Sequence, residues 1–219
     1  MINTPAVLFD LDGTLLDTAP EFTYCLNQLL TAQGKQPVTV ESLRSSVSFG
    51  AKGMLCFGFK LHRQDPLLDE LLPRFLSLYQ EKIGHLTELF PGMAEILSHL
   101  GEKGIPWGIV TNKPLCFAKP LVQVFKPLQA TQCLIGGDSL PEQKPHPAPL
   151  LQGAALLNVA PIACWYIGDA KTDLEASRKA NMRCAIANYG YIPPEEDVYS
   201  WEADSYLEKP SDIEKILFA

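Results

Sequence analysis

The sequence predicts a parallel α/β fold with helices on both faces of the sheet and a helical cap inserted early in the chain. Three observations carry that reading: short apolar runs separated by helical patterns, one connection far too long for a simple crossover, and carboxylates placed repeatedly at the ends of the apolar runs.

Candidate strands run from Ala6 to Phe9, Trp107 to Val110, Cys133 to Ile135, Cys164 to Ile167 and Cys184 to Ala187. They are apolar throughout and do not alternate, as befits strands covered on both faces. Helical patterns between most of them give the alternation of a Rossmann-like parallel sheet. The first connection, residues 10–106, is the exception. A parallel crossover needs roughly a dozen residues, so this one contains an insertion. Its interior reads as helical. Thr18 followed by Glu21 has the spacing of a capping box, Phe22, Cys25, Leu26, Leu29 and Leu30 form an apolar stripe, and Gly34 is suited to end the helix. A second stripe comprises Leu68, Leu71, Leu72, Phe75, Leu76, Tyr79 and Ile83. The expected organisation is a catalytic core of residues 1–16 and 86–219 and a cap of residues 17–85.

With 47% hydrophobic and 20% charged residues the composition is that of a soluble globular protein. No apolar run approaches the roughly 20 residues that span a bilayer. The segment Met1 to Phe9 has no cationic start and reads as a strand, not a secretory signal, which makes the cytoplasm the expected compartment. A net charge of −7 without a Lys/Arg cluster argues against a nucleic-acid partner. The six cysteines show no C-x-x-C spacing and mostly sit in apolar segments, so they are read as reduced packing residues.

The most informative stretch is Ala6-Val-Leu-Phe-Asp-Leu-Asp-Gly-Thr14. Residues two apart in an extended chain face the same way, so Asp10 and Asp12 converge at the carboxyl end of a strand, where ligands of open α/β sheets bind. Two close carboxylates call for a cation, and magnesium (Mg²⁺) suits an all-oxygen site that also accepts phosphate. An Asp-Gly turn alone would explain the turn but not the buried strand leading into it. Thr111-Asn112-Lys113-Pro114 offers a hydroxyl and backbone N–H groups at a helix start, a common phosphate seat. Asp169 stands at another strand end, with Asp173 one helical turn later on the same face; for Asp173 a capping role competes equally with metal support. Lys144 precedes Pro145 and is held in an extended loop.

In order and spacing these four segments resemble the four motifs of the haloacid dehalogenase-like hydrolases, over essentially the whole chain and including the cap position. The resemblance implies Asp10 as nucleophile, Asp12 as general acid and then base, Thr111, Asn112 and Lys144 as phosphate binders, and Asp10, Asp12 and Asp169 at Mg²⁺ with Asp173 in support. An aspartate at position 12 points to the phosphatases and phosphomutases of the family, since its dehalogenases carry a tyrosine there and its ion pumps a threonine. Physics agrees. An anionic nucleophile about 3 Å from a phosphate dianion meets roughly 10 kcal/mol of repulsion at an effective dielectric near 20, which a cation and the Lys144 ammonium offset.

Overall the chain resembles the phosphoglycolate phosphatase group. Ser48-Phe-Gly-Ala-Lys-Gly-Met54, Leu89-Phe-Pro-Gly-Met93, Trp107 to Pro114, and Tyr189 to Asp197 followed by Trp201 resemble more closely the bacterial N-acetylmuramic acid 6-phosphate phosphatases of peptidoglycan recycling. The expected substrate loop of the cap spans Ser48 to Met54, with Ser48, Gly50 and Lys52 as contacts; Lys52 suits a substrate carboxylate or plain solvation equally. Where relatives commonly have glycines after the last motif, this chain has Asn181, which is able to take the left-handed helix-ending conformation. A phosphorylated signalling domain is the alternative of another class; receiver domains, however, carry their aspartate after the third strand and lack a cap.

Overall fold

The computed structural model describes residues 5–217, so the outermost residues of the expected core, 1–4 and 218–219, lie outside it. In chain order the elements are β1 (Ala6–Phe9), β2 (Leu16–Asp17), α1 (Ala19–Ala32), α2 (Val40–Val47), α3 (Gly50–Phe59), α4 (Leu67–Lys82), β3 (Glu88–Leu89), α5 (Met93–Glu102) and β4 (Trp107–Val110). There follow α6 (Leu115–Val124), β5 (Leu134–Ile135), α7 (Ala148–Leu156), β6 (Cys164–Gly168), α8 (Lys171–Lys179), β7 (Arg183–Ala187), β8 (Ser205–Leu207) and α9 (Ile213–Leu217).

Six strands form one parallel sheet in the order β5-β4-β1-β6-β7-β8. All five expected strands are present, and β8 is an addition. The chain winds outwards from β1 through β4 to β5, then returns to β6 on the other side of β1 and winds outwards again. That reversal puts a crevice at the carboxyl ends of β1 and β6, the place where such sheets bind ligands. β1 is buried along its whole length. Val7 and Phe9 face a core built with Met93, Ile96, Leu97 and Leu100 of α5 and Ala118, Leu121 and Val122 of α6. Ala6 and Leu8 face the opposite core with Leu150 and Ala154 of α7 and Ala176 of α8. An apolar run without alternation is what this two-sided burial requires.

Helices α1–α4 occupy the long first connection, bracketed by β2 and β3, which pair antiparallel as Leu16 with Leu89 and Asp17 with Glu88. Both expected stripes are inward faces of a separate apolar cluster holding Phe22, Cys25, Leu26, Leu29 and Leu30 of α1 and Leu68, Leu71, Phe75 and Tyr79 of α4, with Leu72, Leu76 and Ile83 packed half-buried against it. α1 closes as expected: Gly34 has φ +67°, the Lys35 N–H donates to Leu30 O and the Gly34 N–H to Thr31 O, the bond pair of a Schellman ending. Asn181 ends α8 in the left-handed region, φ +56°.

Two expectations need correction. Thr18 makes no side-chain cap bond, and Glu21 is not part of a capping box. Its buried carboxylate accepts N–H bonds from Gly84, His85 and Leu86 at 3.1, 2.8 and 3.0 Å, tying the exit of the helical segment to its entrance. Ser48 to Met54 is likewise mostly helix. Only Ser48 and Phe49 separate α2 from α3, and Gly53 sits within α3 because a Cβ there would strike the Phe49 side chain. No helix among the described residues is long and apolar enough to cross a membrane. The cysteines are free, and burial holds the Cys133 and Cys164 thiols up at about 11, far from thiolate chemistry.

Candidate active site

β1, β4 and β6 each deliver a polar residue to the crevice immediately past their last apolar one. Asp10 follows Phe9 with its N–H donating to Ile167 O at 2.8 Å, Thr111 follows Val110, and Asp169 follows Gly168. The turn after Asp12 is tight. Gly13 has φ +81°, and a Cβ there would strike the Asp169 carboxylate, so only glycine fits the D-x-D-G-T turn.

Lys144 is the centre of the charge arrangement. It is 3% exposed, and its Nζ donates to Asp173 Oδ1 and to the Tyr166 hydroxyl, both at 2.7 Å. It also lies 3.0 Å from Asp10 Oδ1. That last contact is an ion pair without hydrogen-bond alignment, and Asp10 Oδ1 is left buried with no hydrogen-bond partner. Burial alone would drive the proton off this ammonium, but the Asp10 and Asp173 carboxylates outweigh it and hold its pKa above the ordinary lysine value. The Lys144 segment is fastened by Asn112, whose side chain accepts the Lys144 N–H at 3.0 Å and donates to Lys144 O at 2.9 Å. Asn112 therefore contributes its side chain to positioning Lys144. The Thr111 hydroxyl oxygen accepts the Lys113 N–H at 3.2 Å, which leaves the hydroxyl proton available to a ligand.

Carboxylate oxygens of Asp10, Asp169 and Asp173 lie within 4.8 Å of one another. Asp173 is committed elsewhere, since its Oδ1 takes Lys144 and its Oδ2 takes the Ala170 N–H at 2.9 Å. Asp169 accepts the Tyr191 N–H at 2.7 Å. Burial first, and then the Asp10 and Asp173 charges, push the Asp169 carboxyl well above the usual carboxylate range. The Asp10 oxygen, whose one charged neighbour is the Lys144 ammonium already shared with Asp173, lies beside a carboxyl that resists ionisation, and this all-oxygen set, where carboxylates outnumber ammoniums, fits Mg²⁺. The Asp12 carboxylate stands apart from this cluster: the Lys113 ammonium donates to both of its oxygens at 3.0 Å.

Above these residues is a cavity of about 410 Å³. Asp10, Asp12, Thr111, Asn112, Lys144 and Asp169 line one side, and Ser48, Gly50 and Lys52 the other, so every sequence-derived site residue except Asp173 faces the same space. Lys113, Tyr166, Tyr191 and Tyr79 are further residues of the site that sequence reasoning passed over. Lys113 lies inside the Thr111 to Pro114 motif and was within reach of such reasoning. No local signal marks Tyr166, whose hydroxyl donates to Val110 O at 2.7 Å and receives Lys144.

Known proteins with this arrangement fall into one family. The haloacid dehalogenase-like hydrolase profile matches residues 7–187. A phosphoglycolate phosphatase of Xanthomonas campestris pv. campestris is 41% identical over 95% of this chain and 94% of its own. An N-acetylmuramic acid 6-phosphate phosphatase of Pseudomonas aeruginosa is 37% identical over 97% of this chain and 94% of its own. The crystal structure of a predicted phosphoglycolate phosphatase from Haemophilus somnus superposes with a TM-score of 0.85 at 25% identity, covering 99% of both chains. The motifs at three strand ends and in the Lys144 loop, the sheet order and these likenesses agree, and the chain is an enzyme of the haloacid dehalogenase-like hydrolase family, grouped with its phosphatases.

Proposed function

We propose that the chain is a Mg²⁺-dependent phosphomonoesterase that works through an aspartyl phosphate on Asp10. The observation that carries this is the buried Asp10 oxygen, free of hydrogen bonds, 3.0 Å from Lys144 and clustered with Asp169 at the reversal of the sheet. Asp10 and Asp169 would hold the cation; the Asp12 carboxylate, engaged by Lys113, would join it only on leaving that partner. When bound, Mg²⁺ supplies positive charge against the repulsion between Asp10 and a phosphate dianion. Lys144 and the Thr111 hydroxyl bind phosphate oxygens and orient phosphorus towards Asp10. An Asp10 oxygen attacks phosphorus, the bond from phosphorus to the ester oxygen breaks, and Asp12, protonated from solvent once it has parted from Lys113, gives that proton to the departing alkoxide. Asp12, now ionised, takes a proton from water as the water oxygen attacks the aspartyl phosphate. Inorganic phosphate leaves and the Asp10 carboxylate is restored.

In this reading residues 17–85 form a cap domain over a core of residues 1–16 and 86–219. The substrate is a small sugar phosphate or organic acid phosphate. N-acetylmuramic acid 6-phosphate is preferred, because a 410 Å³ cavity with an apolar roof holds far more than a two-carbon acid. It corresponds to a cytoplasmic role in peptidoglycan recycling. The relative at 41% identity favours phosphoglycolate as the second reading. Release of inorganic phosphate from both esters, with and without Mg²⁺, decides. A higher kcat/KM for the muramate ester, reduced in Lys52→Ala, is expected. A preference for phosphoglycolate would replace the substrate assignment, and stoichiometric labelling of Asp10 without turnover would replace the enzyme by a signalling domain.

A further inference from the structure

Three tyrosines are fully buried: Tyr79, Tyr166 and Tyr191. Tyr166 donates to Val110 O and Tyr191 to Asp17 Oδ1 at 2.9 Å. Tyr79, on α4, is 2% exposed and lines the cavity, yet its hydroxyl has no hydrogen-bond partner among the described residues. A buried hydroxyl without a partner is costly, and proteins rarely leave one where nothing will fill it.

We propose that the Tyr79 hydroxyl is a specificity contact that takes a hydrogen-bond acceptor on the organic part of the ester, carried next to the scissile oxygen. This rests on the phosphatase reading above and narrows its substrate class. The location follows from a short chain of contacts. Asp12, the acid that protonates the leaving oxygen, is held by Lys113, and Lys113 Nζ lies 4.6 Å from the centroids of both the Phe22 and Tyr79 rings. Tyr79 packs its ring on Phe22 at 4.5 Å and on Phe117 at 5.4 Å, which fixes it from two sides. The nearby wall, Met54, Leu72, Phe75 and Leu76, is apolar. Lys113 already serves both oxygens of Asp12, and the Thr111 hydroxyl is taken up by the phosphate in the reading above, which leaves the phenol as an unengaged donor beside Lys113. It remains a donor throughout the useful pH range, since burial first and the Asp12 charge next hold its pKa well above the ordinary tyrosine value. A site with such a donor rejects an ester that offers it only carbon, because the hydroxyl then stays unpaired in the complex.

Phosphoglycolate carries acceptor oxygens beside its ester linkage, and isobutyl phosphate has the same branched shape without them. Binding of each to the full chain in an Asp10→Asn background, measured calorimetrically with Mg²⁺, reads the contact without turnover. The preference for phosphoglycolate should fall about tenfold or more when Tyr79→Phe is added. The same fall should appear in the ratio of kcat/KM values with Asp10 intact. The melting temperature of Tyr79→Phe should match or exceed that of the parent, since the variant removes a hydroxyl that has nothing to bond. An unchanged preference overturns the proposal, and so does a lowered melting temperature, which would reveal a structural partner. Absence of turnover of any ester by the unsubstituted protein would refute the phosphatase reading, while the binding ratio still judges Tyr79.

Discussion

The two walls of the cavity are built on opposite principles. On the sheet side, buried Lys144 balances buried Asp173 at 2.7 Å and half-buried Asp10 at 3.0 Å, with the buried Asp169 carboxyl beside them. On the helical side, Val47, Met54, Leu72, Phe75 and Leu76 present apolar surface, with Lys52 exposed at its margin. The first wall holds charge where a phosphoryl group must be stabilised, and its residues have few substitutes. The second shapes space, which many side chains could shape as well. Chemistry is thereby separated from selection, and substitutions on the two walls should have different signatures.

Asp10→Asn gives the largest effect. The amide keeps the shape but has no nucleophilic charge, so turnover should fall about a thousandfold or more. A steady-state assay on protein verified by mass to be free of deamidation measures it. Substantial residual turnover would remove Asp10 from its role and with it the distinction between the walls.

Lys144→Met comes next and is read in stability. Removing the ammonium leaves buried Asp173 and half-buried Asp10 without their shared partner, and breaking such a buried pair costs about 3–5 kcal/mol. Denaturant titration at neutral pH should show a loss of that order. A loss below about 1 kcal/mol, the size typical of exposed pairs, would mean that water already screens the site.

The unequal legibility of the walls has a physical source. Asp10, Asp12, Asp169 and Lys144 could be found in the sequence because each stands just past an apolar strand or before a proline, where a carboxylate or ammonium has no packing purpose. β8 escaped notice because Ser205–Leu207 is short and half-polar, and it lies at the sheet edge. Ser48 to Met54 reads as a loop in the sequence because Gly50 and Gly53 resemble loop residues, although Gly53 serves close packing within a helix. In the sequence Tyr79 is visible only as a member of an apolar stripe, and it is one. Its ring packs in the helical core while its hydroxyl remains over, and periodicity detects the first property and not the second.

Glu21 belongs to neither wall and should give the smallest effect. Thr18 and Glu21 have capping-box spacing, but the Thr18 N–H already donates to the Tyr191 hydroxyl at 2.6 Å, which leaves Glu21 free to serve elsewhere. Its carboxylate gathers the N–H groups of Gly84, His85 and Leu86, where the chain leaves α4 and turns back towards β3. In Glu21→Gln one acceptor oxygen is replaced by an NH₂ group that points donors at donors. Hydrogen bonds to a charged group are worth about 1.5–3 kcal/mol, and relaxation of the exposed turn at His85 should keep the loss near the lower figure. Stability should therefore drop by about 1–2 kcal/mol, less than for Lys144→Met. Amide exchange at residues 84–86 should quicken more than exchange within the sheet, since the bond lost is local. Because Glu21 touches no residue of the charged wall, kcat should change less than stability does. Unaltered exchange at 84–86 would show that the carboxylate does not hold this junction, and a collapse of kcat in a stable variant would place Glu21 in the chemistry after all.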